Sequence, residues 1–174
     1  CEEGFAWDAF LAPSGSPLDA QVAAAGRLAW SEARPMLEQL ADELDASLAD
    51  GTRPVRLAPS EVWVADSGRT QFCGLGTQVL AADFGAPAEA AEQQALATLR
   101  DSAVVALEGR PREAGPRWPD IRAPLPLHAT ELMTRLLDPA RGFQSVRQFR
   151  HALHRTRDMP SAVERQLRAS QLWL

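Results

Sequence analysis

Arg56-Leu57-Ala58-Pro59-Ser60-Glu61-Val62-Trp63-Val64-Ala65-Asp66-Ser67-Gly68-Arg69-Thr70-Gln71-Phe72 is the stretch on which the fold turns. Val62-Trp63-Val64 and Thr70-Gln71-Phe72 are short β-rich runs, and the residues between them, Ala65 to Arg69, include Asp, Ser and Gly. The pattern predicts a β-hairpin. Long helices are expected on both sides. Upstream, residues 32–49 carry Leu37, Leu40, Leu44 and Leu48 at steps of three and four. Ser31 is the expected N-cap of that helix, Pro35 falls in its first turn, and Gly51 is its stop. Downstream, residues 88–108 put Leu96, Leu99, Ala103 and Leu107 on one face, with Gly109 as the stop. A short helix is expected at 5–11, ended by Pro13-Ser14-Gly15. Residues 110–126 hold five prolines and read as a wrapped loop. Further helices are expected at 127–137, 145–155 and 161–172. The fold class is mainly α, with one small hairpin between two long helices, and an all-helical bundle would not need that hairpin.

A length of 174 residues and 18.9 kDa suits one domain, 1–174, that buries roughly 70% of its unfolded surface. Hydrophobic content of 45% and charge of 24% are globular values. All 18 cations are Arg, and Lys, Asn and Tyr are absent. Within this chain that excludes a P-loop or Schiff-base Lys, an Asn ligand to a metal and a Tyr general acid. The apolar runs are short and broken by Arg, Asp or Pro, so none is expected to span a bilayer. Cys1-Glu2-Glu3 opens acidic, unlike a signal peptide. Cys1 and Cys73 make no disulfide framework, which fits a reducing compartment. The expected location is cytoplasmic, or the cytosolic part of a membrane-anchored protein. A chain opening on Cys would also suit a lipoprotein.

The net charge of -5 is unevenly spread. Residues 1–134 hold 20 acids and ten Arg, whereas residues 135–174 hold three acids and eight Arg. The basic last quarter reads as a solvated helix face on an acidic protein rather than a nucleic-acid or membrane surface.

A short helix, a long helix, a hairpin, a second long helix and a compact helical end is also the running order of a protein kinase C-lobe. Four strings carry that resemblance. Arg56 to Val64 resembles the D-L-K-P-x-N-V-L-V catalytic loop and strand, and Asp66 to Phe72 the D-x-G-R-V-K-L turn and strand after it. Ala106-Leu107-Glu108-Gly109-Arg110-Pro111 is similar to L-L-T-G-R-P at the end of helix F. Leu136 to Ser145 is similar to the L-x-D-P-x-x-R-F-x-S segment between the last two helices. The resemblance spans nearly the whole chain. It puts Cys1 to Gly4 at the hinge between lobes, so the chain would start at a domain boundary with its N-lobe upstream, which speaks against the lipoprotein. The helix at 161–172, within 160–174, would be an extra C-terminal element suited to interaction.

Phosphoryl transfer needs an Asp base, and an Asn and an Asp on Mg. The resemblance implies that these positions are degenerate. The base position is Arg56, whose guanidinium cannot accept a proton. The phosphate-contacting Lys position is Ala58, the metal-binding Asn position is Glu61, and the Asp of D-F-G falls on Gly74. That is the pattern of a pseudokinase, without catalytic or metal residues and without cofactor, acting through binding or scaffolding. Its expected partners are its own N-lobe and another protein. Nucleic acid is not expected, and membrane contact would come only through segments outside this chain.

The alternative is a divergent Ser/Thr kinase using Mg-ATP. Asp83-Phe84-Gly85 contains a literal D-F-G, and Glu61 and Asp83 would then be the metal-ligand candidates. A second alternative is a helical interaction module unrelated to kinases. Two further departures fit the pseudokinase reading. Ala86-Pro87-Ala88 lacks the Glu of A-P-E, and Gly142 takes the place of the Arg that would pair with it. Losing both avoids the ~3–5 kcal/mol cost of one stranded buried charge. There is also no room for helix G between Pro111 and Leu127. Elsewhere, His151 and His154 form H-x-x-H without a third ligand nearby, Gly74-x-Gly76 is a weak phosphate-loop signal, and Asp66-Ser67-Gly68 lacks the nucleophile-elbow frame. The five Trp residues are scattered and read as core.

Overall fold

The computed structural model describes residues 14–51, 57–73, 88–110, 121–138 and 140–159. It is mainly helical, with one small antiparallel sheet. The order of elements is β1 (Gly15–Pro17), α1 (Leu18–Ala25), α2 (Trp30–Asp50), a single 3-10 turn (Pro59–Glu61), β2 (Val62–Ala65), β3 (Thr70–Phe72), α3 (Ala88–Glu108), α4 (Leu127–Leu137) and α5 (Val146–His154). The expected helices at 5–11 and 161–172 lie outside the described residues.

The two long helices hold the core. Leu37, Leu40, Leu44, Leu96, Leu99, Ala103 and Leu107 are all fully buried, as their spacing predicts, and Leu48 is half-buried at the edge. Each buried Leu is worth about 1.5–3 kcal/mol relative to exposure. Phe149 and Leu153 of α5 and Leu136 and Met133 of α4 close the same cluster.

The expected two-stranded hairpin is part of a three-stranded sheet. β2 pairs with β3 as the expected hairpin, Val62 opposite Phe72 and Val64 opposite Thr70. On its other side β2 pairs with β1, Gly15 opposite Ala65 and Pro17 opposite Trp63. Gly-Ser-Pro carries no β-branched or aromatic residue, so only its distant partner makes it a strand. Helix α1 was not expected either. It is Ala-rich, and it offers a single inward pair, Leu18 and Val22, too little for a clear period.

The start of α2 also departs from expectation. Its N-cap is Ala29, not Ser31, because Glu32 Oε2 reaches back to accept the Ala29 N–H at 2.9 Å and Trp30 is already buried in the core. Pro35 therefore lies inside the helix rather than in its first turn. Helices α3 and α4 have the expected bounds. In α5, Ser145 is the N-cap, its Oγ accepting the Gln148 N–H at 3.2 Å.

The cations of residues 140–159 are mostly exposed, as expected, but four of them also pair with a helix of the acidic part. Glu38, Asp42 and Asp45 form a stripe on α2, and the stripe of Arg147, Arg150, His154 and Arg157 lies across it. Glu38, nearly buried, meets Arg34 at 3.1 Å, His154 Nδ1 at 2.9 Å and Arg157 at 2.5 Å. Asp45, also nearly buried, pairs with Arg150 and lies 3.4 Å from Arg147, while Asp42 meets Arg150 at 3.0 Å. Two further ties fix α3 to the helical end. Arg100 Nε donates to the Leu136 carbonyl at 2.8 Å, and Glu92 Oε2 accepts the Val146 N–H at 3.0 Å.

Gly142, at the position where the kinase pattern has Arg, packs against the carbonyls that end α4. A Cβ there would stand 2.0 Å from the Asp138 oxygen and 2.6 Å from the Arg135 oxygen. No side chain fits this backbone, so Arg is excluded by contact. Gly142→Ala is expected to destabilise the protein by about 1–3 kcal/mol, measured by urea denaturation. Glu38→Gln, which keeps the shape but removes the charge facing two Arg and a His, is expected to cost about 1–2 kcal/mol. Because His154 and Arg157 are half-exposed, their single pairings with Glu38 should each be worth under about 1 kcal/mol in double-mutant cycles.

Candidate functional site

Of the residues that sequence reasoning singled out, Ala58 and Glu61 are described. Arg56, Gly74, the Gly74-x-Gly76 string and Asp83 lie outside the described residues. The loop containing Ala58 and Glu61 is built by three constraints. Thr98, buried on α3, accepts the Leu57 N–H on its Oγ1 at 3.1 Å while its own hydroxyl donates to the Gln94 carbonyl at 3.2 Å. Pro59 opens the 3-10 turn at a position where a missing N–H costs little. Glu61 closes that turn: its backbone N–H donates to the Ala58 carbonyl at 2.9 Å, and its Oε2 accepts the Ala58 N–H at 2.7 Å.

The half-buried Glu61 carboxylate is therefore engaged by its own loop. Ala58 is exposed and offers no polar side-chain atom, and Ser60 is exposed beside it. The turn is joined to the sheet where the Cys73 N–H donates to the Glu61 carbonyl at 2.9 Å. Pro59 and Ser60 border a cavity of about 310 Å³ between α1 and the end of α3, with Asp19, Val22 and Arg110 on its other walls. Within the described part of this loop there is neither a base poised on a hydroxyl nor a paired carboxylate. It is a shaped turn with its donors and acceptors matched to each other.

Sequence reasoning missed the residues that hold the sheet in place. Gln39 and Glu43, one turn apart on α2, meet the outer edge of β3. Gln39 Oε1 accepts the Thr70 N–H at 2.8 Å and Glu43 Oε2 the Phe72 N–H at 3.2 Å. A strand edge that would otherwise be open is thus capped by a helix. The available signal was polar side chains at i and i+4 on a helix preceding a hairpin, which alone does not specify the pairing. Burial raises the Glu43 carboxyl above the usual glutamate range, against the opposing pull of the Phe72 N–H and the Arg69 charge.

His151 and His154 do not converge on a shared site. His151 is exposed, and His154 Nδ1 is held by Glu38. Among the described residues no group of three or more His, Cys, Asp or Glu gathers in a metal-binding arrangement, and no helix is long and apolar enough to cross a membrane. Ala88, where A-P-E would have its Glu, is exposed. No protein-family model matches the chain, and no curated protein matches it.

A carboxyl with a raised pKa holds its proton more tightly in the folded state. Stability from Glu43 is thus fully present below the ordinary glutamate value and is lost as pH rises through the raised value. Glu43→Gln keeps an acceptor for the Phe72 N–H without the charge. At pH 7 its melting temperature should equal or exceed that of the parent, and this advantage should disappear as pH falls toward 4. A clear loss of stability at pH 7 would contradict the assignment.

Proposed function

We propose that this chain is the helical lobe of a protein kinase-like domain that has lost phosphoryl transfer and acts as a regulatory or scaffolding pseudokinase. The observation that carries the reading is the loop Leu57 to Glu61. It lies between a long helix and a hairpin, it is tied to the second long helix through Thr98, and its carboxylate closes on its own backbone. A loop so placed has the position of a catalytic loop without the chemistry. Arg56 in the base position cannot take a proton, and Ala58 cannot contact a phosphate.

The element order supports the same reading. Mutual loss of the A-P-E and Arg partners leaves no stranded charge, and Glu92 and Arg100 tie α3 to the helical end in their stead. The surface that a small lobe would cover is not marked by exposed large apolar side chains among the described residues. The two that are exposed, Leu127 and Met159, lie at the start of α4 and beyond α5. The partner this reading calls for is another protein, and Glu61, the residue in the metal-binding position, uses its Oε2 as an acceptor for the Ala58 N–H.

Calorimetry of Mg-ATP against the protein, with phosphate release followed in parallel, tests the proposal. No turnover is expected, with or without weak nucleotide binding. Turnover that is lost on Asp83→Ala would overturn it in favour of the divergent kinase.

A further inference from the structure

The ion-pair ladder uses only half of one imidazole. Glu38 Oε1 accepts from His154 Nδ1 at 2.9 Å and from Arg157 at 2.5 Å, and its Oε2 accepts from Arg34 at 3.1 Å. An ionised carboxylate only accepts hydrogen bonds, so the proton between Glu38 and His154 belongs to Nδ1. The neutral ring is thereby fixed in one tautomer, with its lone pair on Nε2. The His154 side chain is 58% exposed, whereas that of Glu38 is 9% exposed. The edge bound to Glu38 is the covered one, so the edge carrying Nε2 is the one open to solvent.

The setting of that ring attracts anions. Arg147 and Arg150 are balanced by Asp42 and Asp45, and the exposed Arg155 and Asp158 offset each other. At Glu38, however, two guanidiniums meet one carboxylate, which leaves a net positive charge beside His154 even when the ring is neutral. The Arg157 side chain is 52% exposed and carries five N–H donors, so donors remain for an incoming group. A carboxylate-held imidazole with an open Nε2 also suits a metal ion, but this surplus of positive charge repels a cation. It favours an electrophile that is itself negatively charged.

We propose that His154 Nε2 is a phosphoryl-acceptor site, served by donors of the N-phosphoryl (phosphoramidate) class. The Nε2 lone pair attacks phosphorus and forms the new N–P bond. The donor's own N–P bond breaks, and its nitrogen, already protonated in the donor, leaves as the neutral amine with the bonding electron pair. Nδ1 keeps its proton throughout. Glu38 stabilises the ring as it becomes cationic, and Arg157 supplies N–H donors to the phosphoryl oxygens. Glu38 is thus a positioning residue, acting through His154. The inference does not depend on the kinase-like reading, since it involves neither the loop at 57–61 nor a nucleotide.

Treating the whole chain with potassium phosphoramidate, and following each histidine by mass spectrometry of its fragments under alkaline conditions, tests the proposal. His151 is the internal control: it is exposed on the same helix, and among the described residues no carboxylate pairs with it. His154 is expected to gain one phosphoryl group about tenfold faster than His151. Nitrogen-15 NMR should place that group on Nε2. Glu38→Gln, checked by circular dichroism to be folded, should slow His154 to about the His151 rate. Arg157→Gln, which leaves Glu38 and the ring in place, should slow His154 several-fold without changing His151. Equal rates at the two histidines, modification on Nδ1, or no modification of His154 would overturn the proposal. So would undiminished reactivity in folded Glu38→Gln, because the carboxylate would then play no part in presenting the ring.

Discussion

The ladder of ion pairs between α2 and α5 is the interaction on which the rest of the structure depends. Glu38 and Asp45 are nearly buried, and a buried carboxylate needs charged or hydrogen-bonding partners to offset its desolvation. Those partners come from the far end of the sequence, so α5 has only one favourable way to lie. Most of the cations are half-exposed, so each pair contributes little by itself. Its specificity comes from the match of two stripes at helical spacing, and the apolar faces beneath, Leu37 to Leu44 against Phe149 and Leu153, supply the larger part of the free energy. Helix α2 thus serves three neighbours at once. One face enters the core, a second binds α5 by charge, and Gln39 and Glu43 cap the sheet.

Much of this was legible in the sequence because it is periodic. The bounds of α3 and α4, the β2–β3 hairpin and the buried leucines follow from spacing and punctuation. What was not legible depends on partners remote in sequence. Gly15-Ser16-Pro17 becomes a strand only because Val64 and its neighbours offer an edge. The pairing of the exposed Arg stripe with α2 was not legible because its acidic counterpart lies more than 100 residues away. The shift of the α2 start from Ser31 to Ala29 follows from a side chain, Glu32, that does the work of a cap from inside the helix.

The loop at 57–61 is shaped by the needs of its own backbone. A backbone turn needs its N–H and C=O groups matched, and Thr98, Pro59 and Glu61 meet that need regardless of catalysis. Glu61 in particular serves as a cap, its Oε2 accepting the Ala58 N–H at 2.7 Å, a role for which its length suits it. Close fit also decides Gly142, where a Cβ would meet the Asp138 and Arg135 carbonyl oxygens at the end of α4.

The central claim, that this loop holds its shape without holding a metal, is tested most directly by adding Mn²⁺ with ATP to isotopically labelled protein and mapping paramagnetic broadening of the amide signals. The account predicts no broadening centred on Ser60 and Glu61. Selective loss of those signals, joined by that of Asp83, would contradict it and show a working metal site.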